Sequence, residues 1–501
     1  MSVPQPKPSS SLTADEALAA MEPPPRSVAG ILWRLGPGLI IAGSIVGSGE
    51  LIGTTKTGAQ AGFWLLWLIL IGCVIKIFAQ VELGRYAITS GVATVQALNE
   101  VPGPRLRVNW ILWYWLVMFV VGLAQLGGVL GGVGQSMAMS LPITGDFNRL
   151  LDEQDAWNAR AQASATQPPE PRPNWRTRDD VYWAAILTAA TVLLLVNGRY
   201  ALIQHVSTFL VAGFTGVTVF CLFATQTQPE WSVHLGDLAD GLSFRLPPRG
   251  SGGSSPLATA LATFGIIGVG ANELISYPYF CLEKGYARFT GPRDPSPAWA
   301  ERARGWMRVM HWDCLISMVV YTFATVAFYL LGAAVLHRGG LDPDGNQMIR
   351  TLATMYVPVF GLWAQWLFLF GAFAVLYSTF FVANAGHARV AADAVRVFGL
   401  GAESQQARRA WVRTFCVGFP LFALTVYAFI PAPPRLVLAG GVMQAIMLPM
   451  LAVATLYFRY FRCDRRIAPG RLWDWLLWGS ALGLLVAGVS VALIHLLPWL
   501  W

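Results

Sequence analysis

The sequence predicts an all-helical membrane protein with eleven spans, two of them interrupted at mid-length. Three observations lead there. The 501 residues are 55% hydrophobic and only 12% charged, the composition of a multi-span membrane protein and not of a soluble globule. Eleven apolar segments each approach the ~20 residues that a membrane helix needs. They are long and continuous, whereas the strands of a membrane barrel alternate over ~10 residues, and lipid tolerates no third way of satisfying the backbone. Finally, two of the segments are broken in the same manner. GPGLIIAGSIVGSGELIG is broken at Gly47-Ser48-Gly49-Glu50, and FGIIGVGANELISYPYF is broken from Gly268 to Glu273.

Along the chain, residues 1–28 are Pro/Ser-rich and lack the apolar core of a signal peptide, so they read as a disordered tail. Residues 29–501 form one transmembrane domain. The spans fall near 36–55, 62–82, 109–141, 181–197, 202–225, 256–282, 312–336, 357–387, 414–430, 436–458 and 474–498, and are numbered 1 to 11 below. Spans 3 and 8 are long enough to tilt or to extend past the bilayer. The string GGVLGGVG in span 3, Gly127 to Gly134, contains overlapping GxxxG and suits close helix packing. Residues 142–180 are polar, Pro-rich and of mixed charge, which reads as a surface loop without a catalytic role.

The net charge of +8 resides in the connections, and no basic, aromatic-interleaved segment points to nucleic acid. With the N-terminus in the cytoplasm, the cytoplasmic connections hold 23 Lys and Arg and the outer ones 11. That bias supports this orientation, and an odd number of spans then puts the C-terminus outside. The protein is thus expected to be a multi-pass protein of the plasma (inner) membrane, in contact with lipid. Trp110, Trp473, Trp475 and Trp499 lie near span ends, as interfacial anchors do. The cysteines, Cys73, Cys221, Cys281, Cys314, Cys416 and Cys463, are scattered without CxxC or CxxH spacing, so neither a zinc site nor a disulfide framework is indicated. The six histidines are isolated, lying mainly near span ends or in connections, and no HExxH or GxSxG occurs. No catalytic residue, cofactor or enzymatic activity is expected.

The two breaks carry the functional signal. Glycine weakens a helix interior, and an ionisable group at bilayer depth is costly and so tends to be functional. Paired interrupted helices in corresponding halves point to the central site of a secondary transporter. Unwound backbone frees carbonyls, which favour cations, while the N-termini of the second half-helices favour anions. The candidate site residues are Gly47, Ser48 and Glu50 in span 1, and Val269, Asn272 and Glu273 in span 6. Every donor among them is an oxygen or an amide that presents one, which suits hard cations such as magnesium, calcium or manganese. An opposing reading makes Glu50 and Glu273 capping groups for the amides of the next half-helix. GSGELIG superficially resembles a dinucleotide fingerprint, but no strand precedes it.

These residues carry a family resemblance. GPGLIIAGSIVGSGELIGTTKTGAQAGFWLLW resembles the first helix of the Nramp divalent-metal transporters, in which GPG, an apolar octet, DPGN and AGAQ-x-G follow one another. LGRYAITSG after span 2, STFFVANAGHARVAADAVR in span 8 and LVLAGGVMQAIMLPM in span 10 are similar to further stretches of that family. The resemblance implies the LeuT-like fold, an inverted repeat of five plus five helices with a peripheral eleventh: repeat one about 33–225, repeat two about 256–458, extra helix about 474–498. The departures fall on the ligand positions. The family's metal-binding Asp, Pro and Asn of DPGN fall on Gly47, Ser48 and Glu50. Its MPH falls on Asn272, Glu273 and Leu274, which removes the thioether that favours softer metals and the histidine associated with proton movement. The acidic pair of span 3 falls on Gln125 and Gly128. The site glutamine of span 10 falls on Gly441, with Gln444 one turn away. Asp313, which opens span 7, matches an acid of the family and reads as structural or gating.

The resulting expectation is an Nramp-related transporter that moves a divalent cation by alternating access. Its metal ligands would be Gly47 and Val269 through their carbonyls, and Glu50 and Asn272 through their side chains. Ser48, Glu273 and Gln444 would complete the substrate site. Two alternatives stand beside it: a LeuT-fold transporter of a small amino acid or amine, and a non-transporting sensor on the same scaffold.

Overall fold

The computed structural model describes residues 20–163, 173–197, 200–247, 255–402 and 404–496. Eleven long helices follow in the expected order: Pro37–Ala61, Leu66–Ser90, Trp110–Ser140, Asp179–Val196, Tyr200–Thr225, Pro256–Lys284, Pro297–His337, Ala364–Val397, Gln405–Phe429, Pro433–Arg462 and Arg471–His495. Ten of them are long and apolar enough to cross a membrane; span 5 runs 26 residues and is apolar over Phe209–Thr225.

Burial separates these helices into a centre and a periphery. In the most apolar window of spans 1 and 6, 88% and 89% of residues are buried, against 28% in span 9 and 39% in span 11. A helix surrounded on all sides by protein is the one place at bilayer depth where irregular backbone and polar side chains find partners. The two interrupted helices occupy that place.

Span 3 supports them by close approach. A Cβ on Gly128 would lie 2.7 Å from the Pro433 carbonyl, and one on Gly134 2.4 Å from that of Asp180. A Cβ on Gly131 would lie 2.2 Å from the Tyr427 ring, whose hydroxyl donates to Asp180 Oδ2 at 2.5 Å. The glycine string is therefore a packing surface against spans 4, 9 and 10, where dispersion contacts and interhelical hydrogen bonds hold the bundle together.

Four departures from the sequence reading have a cause visible in the packing or the backbone. Residues 142–180 hold an 18-residue helix, Asp146–Ala163, seated by buried Phe147, Leu150 and Leu151; its charged outer face hid that narrow apolar stripe. Span 7 begins at Pro297, far before 312, because Ser296 accepts from Trp299 N and Pro297 stands at the first helical position. Span 8 begins at Ala364, after Gly361 at φ +54° interrupts the chain. Of the expected disordered tail, residues 1–19 lie outside the described residues. The remainder is docked: Glu22 accepts from Arg34 at 2.7 Å, and its carbonyl accepts from Trp306 Nε1 at 3.0 Å.

Candidate substrate site at the crossing of spans 1 and 6

Span 6 is broken as anticipated, but over a shorter stretch. Helix 6a (Pro256–Ile266) ends in extended backbone at Ile267, Gly268 takes φ +63°, and helix 6b (Ala271–Lys284) starts after Gly270. Gly268 is required twice over. Its conformation is left-handed, and a Cβ would lie 2.9 Å from Cys73 Cα of span 2. Asn272 and Glu273 are consequently the second and third residues of helix 6b and not part of the break. A Cβ on Gly270 would meet Glu273 Oε2 at 2.3 Å and Gln444 Oε1 at 2.6 Å. The Glu273 carboxylate is thus folded back on the start of its own helix, where free amides and the helix dipole favour it.

Span 1 does not unwind, contrary to expectation. Val46–Thr54 is a π-helix joining the α-helical Pro37–Ile45 and Thr55–Ala61. Its widened turns are relieved by threonine hydroxyls: Thr54 Oγ1 donates to the Gly49 carbonyl at 3.0 Å and Thr55 Oγ1 to that of Glu50 at 3.3 Å. Such π segments mark functional positions in helices more often than they occur by chance. Gly47 therefore sits in a helical ladder, and its carbonyl is not freed as a ligand. It serves instead as a contact with span 8, its N–H donating to Thr379 Oγ1 at 3.0 Å. Gly49 brings the π segment against the end of helix 6a, where a Cβ would lie 2.8 Å from the Ile266 carbonyl.

The two interruptions thus converge. Glu50 is wholly buried. Its Oε1 accepts from Thr325 Oγ1 of span 7 at 3.0 Å and from Gly268 N at 3.4 Å, while Oε2 has no hydrogen-bond partner. Asn272 is 3% exposed; its N–H donates to Gln444 Oε1 at 3.0 Å and its Oδ1 likewise has no partner. A relay joins four spans: Gln444 Nε2 donates to Gln125 Oε1 at 2.7 Å, and Gln125 Nε2 donates to Ser48 Oγ at 3.0 Å. Ser48, Asn272 and Gln444 are united by Gln125. Gly441, in contrast, packs on helix 6a, with a Cβ position 2.4 Å from the Ala262 carbonyl. Gln444 is the span 10 glutamine that reaches the site. Val269 is buried within the break.

Among the described residues no three His, Cys, Asp or Glu side chains gather as a ready-made metal cluster. An ion held here would take carboxylate, amide and backbone oxygens together, a hard donor set. Three further residues line the crossing. Gln125 stands where the resemblance puts one of the family's span 3 acids, but nothing in the sequence joined it to Ser48 and Gln444; Thr325 carries no sequence signal beyond polarity. Lys76 did carry one: it is the sole charge in LWLILIGCVIKIFAQV. It is fully buried, and its Nζ donates to the carbonyls of Phe264 and Ile267. His387 also departs from expectation, being buried in span 8 against Phe119 and not near a span end.

The sequence model of the natural resistance-associated macrophage protein-like family, Nramp, matches residues 177–495. The chain belongs to the Nramp family. The matched stretch leaves out spans 1 to 3, so the changes at Gly47, Ser48 and Glu50 lie outside it. No curated protein matches the sequence. Among solved structures, the manganese transporter of Eremococcus coleocola, in complex with an aromatic bis-isothiourea compound, is similar at 16% identity, with a TM-score of 0.62 over 94% of this chain and 89% of that one. The nucleobase-cation-symport-1 transporter Mhp1, with bromovinylhydantoin bound, follows at 14% identity and TM-score 0.52, covering 91% and 93%. MhsT in complex with L-phenylalanine gives 14% and 0.50, covering 94% and 99%. This Nramp protein has the LeuT-like fold, five plus five inverted helices with a peripheral eleventh, and is an integral multi-pass membrane protein.

Proposed function

We propose that this Nramp protein moves a hard divalent cation across the membrane by alternating access, with Glu50 and Asn272 as its side-chain ligands. One observation carries the reading: Glu50 Oε2 and Asn272 Oδ1, on the two interrupted helices, are buried oxygens without partners. A buried acceptor left unpaired costs about 1–3 kcal/mol, and a bound cation removes that cost. The Val269 carbonyl, in the extended stretch, supplies a third oxygen. Ser48 and Gln444 orient the site through Gln125, and Glu273 caps helix 6b beside it. The absence of a thioether from this set favours magnesium, calcium or manganese over softer metals. Membership of a metal-transporter family supports the same cargo, and the N-terminus belongs in the cytoplasm on the charge bias. The repeat boundaries follow those of the sequence, about 33–225 and 256–458.

The test is uptake of manganese and magnesium into proteoliposomes by the wild type and E50Q. Saturable flux in the wild type, reduced at least about tenfold in a folded E50Q, is expected, since about 1.4 kcal/mol of lost binding is a factor of ten. Equal flux and selectivity in the two proteins would remove Glu50 from the site. Thermal stabilisation by amino acids or amines, with no response to metals, would replace the cation with an organic solute.

A further inference from the structure

Lys76 has no part in the reading above, yet its ammonium stands at the C-terminal end of helix 6a. Helix 6a ends at Ile266, deep in the protein, and the last carbonyls of a helix have no partners within it. They carry the negative end of the helix dipole. Nζ of Lys76, reaching across from span 2, donates to two of these oxygens, on Phe264 and, at 2.8 Å, on Ile267. The Phe264 ring lies 4.9 Å from the same ammonium, a cation–π contact. The reach is fixed by packing, since Gly72 and Cys73 of span 2 press on helix 6a and on Gly268.

The peptide group between Ile267 and Gly268 is held from both ends. Its carbonyl accepts from Lys76 and its N–H donates to Glu50 Oε1 at 3.4 Å. The side chains of Lys76 and Glu50 thus clamp one peptide of the break in span 6. Carbonyl oxygens at a helix C-terminus, faced by a carboxylate, are the environment of a small monovalent cation. In this chain a side chain supplies that positive charge.

We infer that Lys76 is a tethered cation standing in place of a diffusible monovalent ion, so that the break in span 6 is organised and the transport cycle proceeds without sodium or potassium. The corollary is a latent site: with the ammonium removed, the Phe264 and Ile267 carbonyls accept sodium or potassium. The flux part of this inference rests on the proposed cation transport; the binding part does not.

The experiment compares the wild type and K76Q in sodium, potassium and choline chloride at equal ionic strength, by thermal unfolding in detergent and by manganese flux in proteoliposomes. The wild type is expected to melt at one temperature and, where it transports manganese, to do so at one rate in all three salts. K76Q is expected to melt at least about 2 °C higher in sodium or potassium than in choline, because a ligand stabilises the state it binds, and to recover flux only in those salts. Wild-type melting or flux that requires sodium or potassium overturns the inference, as does a folded K76Q indifferent to all three salts. Should K76Q fold in none of them, the wild-type comparison decides alone. Absence of manganese flux from the wild type would count against the cargo, whereas the melting comparison would still decide the role of Lys76.

Discussion

At the scale of single residues, the site is a set of polar atoms that hold one another. Gln444 is the hinge of that set, accepting from Asn272 N and donating to Gln125. Its replacement leaves a buried N–H and a buried carbonyl oxygen unpaired, at about 1–3 kcal/mol each. Q444A is therefore expected to unfold at a lower temperature than the wild type, and Q444E, which keeps the acceptor for Asn272, to recover part of the difference. Equal melting of Q444A and wild type would refute the relay. Gln444 was visible in the sequence only as a polar residue a turn from Gly441. Which of the two faces the substrate depends on helix rotation, and rotation is set by the Gly441 contact with Ala262.

The interrupted helices illustrate what a sequence can say about an element. Glycines beside a carboxylate announced an interruption in both, but not its kind. Span 6 gives way to extended backbone because Gly268 adopts φ +63° and span 2 fills the space beside it. Span 1 keeps its hydrogen-bond ladder as a π-helix because Thr54 and Thr55, five residues beyond Gly49 and Glu50, donate to their carbonyls. Its start is held by Asp313, which accepts from Gly36 N at 2.9 Å, from Gly38 N at 2.5 Å and from the Tyr277 hydroxyl at 3.2 Å. That carboxylate ties the first turn of span 1 to spans 6 and 7. Loss of a helix N-terminal acceptor costs about 0.5–2 kcal/mol. D313N is accordingly expected to loosen this end, so that a cysteine placed at buried Ala42 (A42C) reacts faster with a maleimide in D313N than in the parent. Unchanged labelling would make Asp313 a structural cap without influence on movement.

Across the whole molecule, polar clasps close both ends of the bundle. At one end Lys56 of span 1 pairs with Asp342 at 2.8 Å and donates to the Pro343 carbonyl at 2.9 Å. At the other, Asp464 joins the connection after span 10 to that before span 7 through Arg293 at 2.7 Å, and it also holds its neighbour Arg466 at 2.9 Å, whose guanidinium donates to the Asp294 and Ser296 carbonyls. Hydrogen bonding from Arg466 is the main reason the Asp464 carboxyl is held down at about 2. A depressed folded-state value contributes stability that is complete above the ordinary carboxylate range and is lost as the pH falls toward 2. The wild type is thus expected to lose thermal stability between about pH 4 and 2 more steeply than D464N, which lacks this titration. Parallel curves for the two proteins would show that the clasp contributes nothing.

The amino-acid sequence was enough to show that the chain is helical and which two of its long helices are interrupted, because length, apolarity and glycine are properties of a segment. It also supplied the oxygen character of the proposed site through Glu50 and Asn272. Which polar atoms meet was settled by packing alone: Gly47 faces span 8, Glu273 folds back on the start of its own helix, and Lys76 stands at the end of helix 6a. Those facts depend on the rotation and approach of helices distant in the chain. Hydrophobic periodicity carries little of that information in helices buried on every side.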